Sequence, residues 1–423
     1  MRRLVDRTGR NDARCVAPGV VLAEIPELVS LPLAMSASPI LSPTRLGPLT
    51  LRNRIVKCAT YETRAKDGLV TDALIDWHRE MAAGGVAMTT LAYCSVAADG
   101  RTFKDQIVMR PEALPGLRRF ADAMHAEGAM AAIQLGHAGW FADPKATGTR
   151  PLGPSGTFSM HAQRFARAMT EADLDRVERD FAAAARLAVD AGFDALEVHV
   201  GHGYLLSQFL CPWNNRRRDA YGGSLENRAR YPRRIVQAVR AAAGRDVAVY
   251  AKLNMEDGFA TGLTIEDGLA VARLLEADGA LDALQLTGGH TTKTPMFLMR
   301  GDSPLVELFG REKNPLRRFA LTYGAKLFMK DYKFEEAFFM PLARRFRTAV
   351  RTPLMLLGGV NQQATMEAAI GEGFELLAVG RALIRQPDLV RRIEAGDFDG
   401  SLCTHCNRCV AYVGHKPTAC PLR

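Results

Sequence analysis

Short apolar runs alternate with amphipathic stretches along most of this 423-residue chain. The apolar runs fall at residues 54–59, 86–93, 129–135, 195–198, 247–253, 283–286, 353–357 and 376–379, and they read as buried strands. Between them, residues 171–191, 225–243, 265–277, 335–349 and 362–372 carry apolar positions at helical spacing. Thr170, Ser224 and Thr264 each precede an acidic first turn, which is the signature of a helix start. Strands alternating with helices over about 340 residues predict an α/β chain folded as a (β/α)8 TIM barrel. A doubly wound sheet fits less well, because no G-x-G-x-x-G turn follows an early strand. Residues 299–333 are basic and poorly periodic, and we read them as an insertion over the barrel mouth. Residues 1–34 are expected to be a disordered extension or a start-site artefact. Residues 35–400 then form the barrel and residues 401–423 a short Cys-rich tail.

In such barrels the chemistry sits at the carboxyl ends of the strands. Polar residues gather there: Thr60 and Tyr61 after strand one, Gln134 and His137 after strand three, Lys252 and Asn254 on strand five, and His290 after strand six. The densest end is that of strand four, Glu197-Val-His199-Val-Gly-His202-Gly-Tyr204. Imidazole N–H groups can hold a developing oxyanion and a phenol can deliver a proton, so His199, His202 and Tyr204 suit carbonyl-activated chemistry. Half a metal site or core histidines are the alternatives; the His-x-x-His spacing has no nearby third ligand, which disfavours metal. Gly358-Gly359 and Gly380-Arg381 follow strands seven and eight, where barrels often hold phosphate. Tight strand-to-helix turns would use the same glycines. With Gln134 and Lys252 across the mouth, the set describes a flat, phosphorylated, hydrogen-bonding cofactor such as FMN.

The net charge of +9 and pI near 9.2 come from arginines scattered along the chain, which form a solvated basic surface and no nucleic-acid motif. No run of about eighteen apolar residues occurs, so no membrane-spanning helix is expected. Cys403, Cys406, Cys409 and Cys420 crowd into the tail as C-x2-C-x2-C-x10-C. That crowding is unlike a secreted disulfide framework, and a cytoplasmic location is the expectation. Three thiolates at successive x2 spacing with a remote fourth suit a [4Fe–4S] cluster, with zinc or an empty reduced tail as alternatives.

The chain resembles the old yellow enzyme family of FMN-dependent barrels. The likeness is carried by Leu51-Arg-Asn53-Arg54-Ile-Val, Gln134-Leu-Gly-His137-Ala-Gly and His199-Val-Gly-His202-Gly-Tyr204-Leu-Leu-Ser-Gln-Phe209-Leu. It continues through Pro212-Trp-Asn-Asn215-Arg-Arg217-Arg-Asp219-Ala-Tyr221-Gly-Gly-Ser224, Gly358-Gly359 and Gly380-Arg381-Ala-Leu-Ile. The resemblance implies FMN held at Ala59, Thr60, Gln134, Lys252, Gly358, Gly359, Gly380 and Arg381. His199 and His202 would hold a substrate oxygen, and Tyr204 would protonate an activated double bond reduced by NADH or NADPH through the flavin. Tyr61 stands where many members carry threonine or cysteine, and Trp140 replaces a usual arginine. Tyr61 and His290 are expected in the substrate pocket. The tail is similar to that of the 2,4-dienoyl-CoA reductase and trimethylamine dehydrogenase branch, whose members continue into nucleotide-binding domains. The favoured activity is ene reduction of a small-molecule substrate. Alternatives are a flavin/Fe–S dehydrogenase feeding a separate electron-transfer protein, or a non-enzymatic electron carrier; an oligomer is compatible with either.

Overall fold

In the computed structural model, residues 38–310, 312–328 and 330–423 are described. The expectation for residues 1–34 lies outside them. Eight parallel strands close into a barrel: β1 (Ile55–Lys57), β2 (Met88–Ser95), β3 (Met130–Gly136), β4 (Ala195–Val200), β5 (Ala248–Asn254), β6 (Ala283–Thr287), β7 (Leu354–Leu357) and β8 (Leu376–Val379). All eight apolar runs became barrel strands, because a strand covered by helices outside and side chains inside must be apolar on both faces. The register sets Glu197 of β4 opposite Gln134 of β3, and His199 opposite Lys252 of β5.

Around the barrel lie α1 (Asp72–Ala83), α2 (Leu114–Ala126), α3 (Glu171–Asp190), α4 (Leu225–Ala243), α5 (Ile265–Asp278), α6 (Met340–Ala349), α7 (Gln363–Gly371) and α8 (Leu389–Glu394). The three start signals are real caps. Thr170, Ser224 and Thr264 each accept from the backbone N–H three residues on, and Asp173 reciprocates at Thr170 as a capping box. Each such cap contributes about 1 kcal/mol. Helix α6 starts five residues later than its periodicity suggested: Pro341 sits in its first turn, and Phe338 and Phe339 ahead of it pack against the β7 loop.

Two features were not expected. A hairpin of Thr44–Leu46 and Leu49–Leu51 packs Leu46 and Leu51 against residues at the amino ends of the strands, including Met88, Ala195 and Leu376. That closes the barrel floor and leaves the carboxyl end for chemistry. The poorly periodic segment 299–333 also carries helices Leu305–Phe309 and Pro315–Phe328, and its Met299 and Leu308 reach the central cavity. The tail lies against the barrel. The Thr418 N–H donates to the Glu62 carbonyl at 2.9 Å, and Arg408 pairs with Glu307 at 2.8 Å.

Candidate active site

The carboxyl end of β4 turns sharply at Gly201, and His202 takes a left-handed conformation at φ 59°. A non-glycine residue there is strained and persists only where its surroundings hold it. Here the hold comes from two other strand ends. The His202 N–H donates to Asn254 Oδ1 at 3.0 Å, and its carbonyl accepts from the Thr291 N–H at 3.0 Å and the Thr291 hydroxyl at 2.6 Å. Gly203 follows at φ 76°, where a Cβ would lie 2.7 Å from the His290 ring, so glycine is required twice over. Gln208 then ties the loop to that of β3, donating to the carbonyls of Gly203 and Ala138 and accepting from the Trp140 N–H.

These constraints gather the three predicted side chains. The His199 ring centroid lies 5.1 Å from that of His202 and 4.7 Å from that of Tyr204. His202 Nε2 sits 2.8 Å from the Thr287 hydroxyl, which leaves Nδ1 for a ligand, and His199 Nδ1 is buried without a partner among the described residues. Burial pushes both imidazoles down, aided by the charges of His202 and Lys252 at His199 and of Lys252 and His290 at His202, which falls to about 3. They are therefore neutral N–H donors at ordinary pH. Tyr204 is held by Tyr93, Phe141 and His199, and burial raises its phenol to about 12 against an opposing hydrogen bond with Thr102. It stays protonated, as a proton donor must.

All three face a cavity of about 500 Å3. Its walls also carry Ala59, Thr60, Gln134 and Lys252 toward β1, β3 and β5, and Gly358, Gly359, Gly380 and Arg381 at the ends of β7 and β8. At Gly359, φ is 76° and a Cβ would stand 2.6 Å from Phe338, so the loop must stay bare. A largely apolar cavity lined by polar groups and by glycine loops beside a half-buried arginine fits FMN. Gln134 and Lys252 would hold the ring system and the glycine loops with Arg381 the phosphate. Arg381 is also braced from behind, its Nη1 donating to the carbonyls of Met299 and Arg300 and to Asn407 of the tail.

The remaining predicted residues divide. Tyr61 lines the cavity, its ring stacked on Phe103 at 4.9 Å. His290 does not reach it, which corrects the expectation of a pocket residue: it is buried among Trp140, Trp213 and Phe259, with Nε2 3.2 Å from Asn214 Oδ1. Its neighbour Thr291 takes the place on the wall. Cys403, Cys406, Cys409 and Cys420 line one small cavity of about 20 Å3 beside Arg381, and all four are free thiols. Among the described residues no three His, Cys, Asp or Glu side chains stand in metal-ligating geometry. The four sulfurs are gathered but not arranged as a ligand set. Sequence reasoning gave no role to Glu197, Thr102 or Gln208, and placed Thr287 only as a polar residue ending strand six. Glu197 had a visible signal in its period-two spacing from His199.

Residues 39–286 match the NADH:flavin oxidoreductase / NADH oxidase family. The chain is 52% identical over 384 residues to the 4,4'-dithiodibutanoate disulfide reductase of Rhodococcus erythropolis, covering 91% of this chain and 95% of that protein. It is 31% identical over 368 residues to the multifunctional alkene reductase/demethylase OYE of Caballeronia cordobensis, covering 86% of this chain but only 50% of that protein. Among solved structures, 2-naphthoyl-CoA reductase with 2-naphthoyl-CoA superposes at a TM-score of 0.78 with 25% identity, over 91% of this chain and 57% of that one. The chain thus spans nearly all of the disulfide reductase and about half of the other two. With barrel, cavity and motifs in agreement, the chain belongs to the NADH:flavin oxidoreductase / NADH oxidase family, whose FMN-dependent oxidoreductases draw electrons from NAD(P)H.

Proposed function

We propose that the protein reduces the activated C=C bond of an α,β-unsaturated carbonyl compound. The observation that carries this reading is the meeting of two neutral imidazoles and a protonated phenol on one cavity wall. FMN, when bound, supplies hydride transfer from nicotinamide to substrate. His199 and His202 hold the carbonyl oxygen as charge builds on it, and Tyr204 gives its proton to the α-carbon. Removing one such oxyanion donor costs ~10²–10³ in turnover. Phe103, Phe141 and Leu308 on the same walls favour an apolar substrate body and exclude water.

A second reading, an organic disulfide as acceptor, is favoured by the 52% identity to a disulfide reductase over nearly the whole of both chains. Its balance is disulfide plus NAD(P)H plus one proton to two thiols plus NAD(P)+, with the proton again due at the nascent thiolate. The two are separated by following NAD(P)H consumption with cyclohexenone and with 4,4'-dithiodibutanoate, quantifying saturated ketone and thiol. Efficient enone turnover is expected. Turnover of the disulfide alone would overturn the first reading in favour of the second. The spacing of the tail cysteines supports a [4Fe–4S] cluster and the resemblance of the tail a separate electron-transfer partner, and iron and sulfide analysis of anaerobically purified protein tests the cluster.

A further inference from the structure

Glu197 lies two residues before His199 on β4, and strand alternation turns both side chains toward the barrel interior. It is fully buried. Its Oε1 stands 2.8 Å from Lys252 Nζ and accepts a hydrogen bond from Gln134 Nε2. Gln134 and Lys252 line the flavin cavity, whereas Glu197 does not, so the carboxylate stands behind the two groups that would hold the ring system. Its Oε2 is buried as well, with the Tyr250 hydroxyl beside the carboxylate. A glutamine here would offer Lys252 and Gln134 the same acceptor without burying a charge, and burying a carboxylate is costly. Hydrogen bonding alone therefore does not account for an acid at this position; its charge does.

We propose that Glu197 is a positioning residue that tunes the flavin. It holds Gln134 and Lys252 in place and offsets the lysine's positive charge, keeping the FMN reduction potential below the value an unpaired lysine would set. The physical reason is direct. Reduction adds negative charge to the ring system, an unpaired cation beside it would favour the reduced form, and a carboxylate in contact with that cation cancels most of its field in a poorly screened interior. Tyr250, opposite Glu197 in the β5 register, is a phenol raised by burial and then by this carboxylate's charge. A lower potential makes reduced FMN the stronger donor, which serves an enone or a disulfide equally, so the inference stands apart from the choice of substrate.

The test is a redox titration of the FMN-loaded Glu197→Gln variant against reference dyes, with FMN affinity measured on the same preparations. The potential should rise by at least a tenfold shift in the reduction equilibrium, about 30 mV for a two-electron couple. Combining Glu197→Gln with Lys252→Gln removes both charges and should return the potential to the parent value or below. An unchanged or lowered potential in the single variant overturns the proposal, and so does a double variant that stays at the single variant's level. A purely structural role would weaken FMN binding and leave the potential where it was. If Glu197→Gln does not fold, Lys252→Gln alone decides: with the carboxylate unmatched its potential should fall at least about tenfold in the same equilibrium, and an unchanged or higher value overturns the proposal.

Discussion

Replacing Tyr204 with phenylalanine removes one hydroxyl and leaves the ring in its seat. The ring is held by Tyr93 at 5.1 Å, His199 at 4.7 Å and Phe141 at 5.9 Å between centroids, none of which needs the oxygen. The structural loss is the hydrogen bond with Thr102, worth about 1 kcal/mol. The chemical loss is a positioned general acid, ~10²–10⁴ in rate. At about 1.36 kcal/mol per tenfold this is about 3–5 kcal/mol of barrier, well above the packing term, so the effect belongs to proton transfer. Anaerobic stopped-flow on the FMN absorbance separates the two half-reactions. Bleaching by NAD(P)H should keep the parent rate, and reoxidation by cyclohexenone should slow by that factor. Equal slowing of both would show that the hydroxyl shapes flavin binding and refute the assignment. Reoxidation at the parent rate would move the proton to another donor, and Tyr61 and Tyr93 are the other phenols lining the cavity.

Two further predictions concern charge and stability. Because His202 takes its proton near pH 3 in the fold and near its ordinary 6.5 when unfolded, the neutral ring's contribution to stability is fully present above 6.5 and is lost as pH falls toward 3. Unfolding followed across that window should show stability falling with acid, with a shallower slope in His202→Gln; identical slopes would refute the neutral imidazole. Beneath the Ala59–Thr60 loop, Lys57 and Glu62 form a fully buried ion pair joined by the Thr60 hydroxyl. Glu62→Ala strands the lysine and should cost about 3–5 kcal/mol in urea unfolding, and a cost under about 1 kcal/mol would show the pair to be dispensable.

Much of the fold was legible because its signals are short-range. A barrel strand buried on both faces must be apolar, and a helix start needs an acceptor at its first orphan N–H groups, so both are written in a few adjacent residues. The floor hairpin escaped notice because strands of three residues are too short to show a period. His290 was misplaced for a related reason. Its position after a strand end was readable, but whether the ring turned to the cavity or to Trp140 and Trp213 depended on loops from elsewhere in the chain.

The candidate site divides along the same line. By itself the sequence determined that two imidazoles and a phenol leave one strand end together, that Gly358-Gly359 and Gly380-Arg381 close the last two strands, and that Gln134 and Lys252 are polar residues on buried strands. Only the tertiary structure decided what those groups do. Asn254 and Thr287, 52 and 85 residues from His202, hold its backbone and its ring. Glu197 meets Lys252 and Gln134 because three parallel strands share one register. Periodicity and capping act within a few residues, whereas barrel closure pairs residues far apart in the chain; the partners that set orientation, protonation and charge come from that closure.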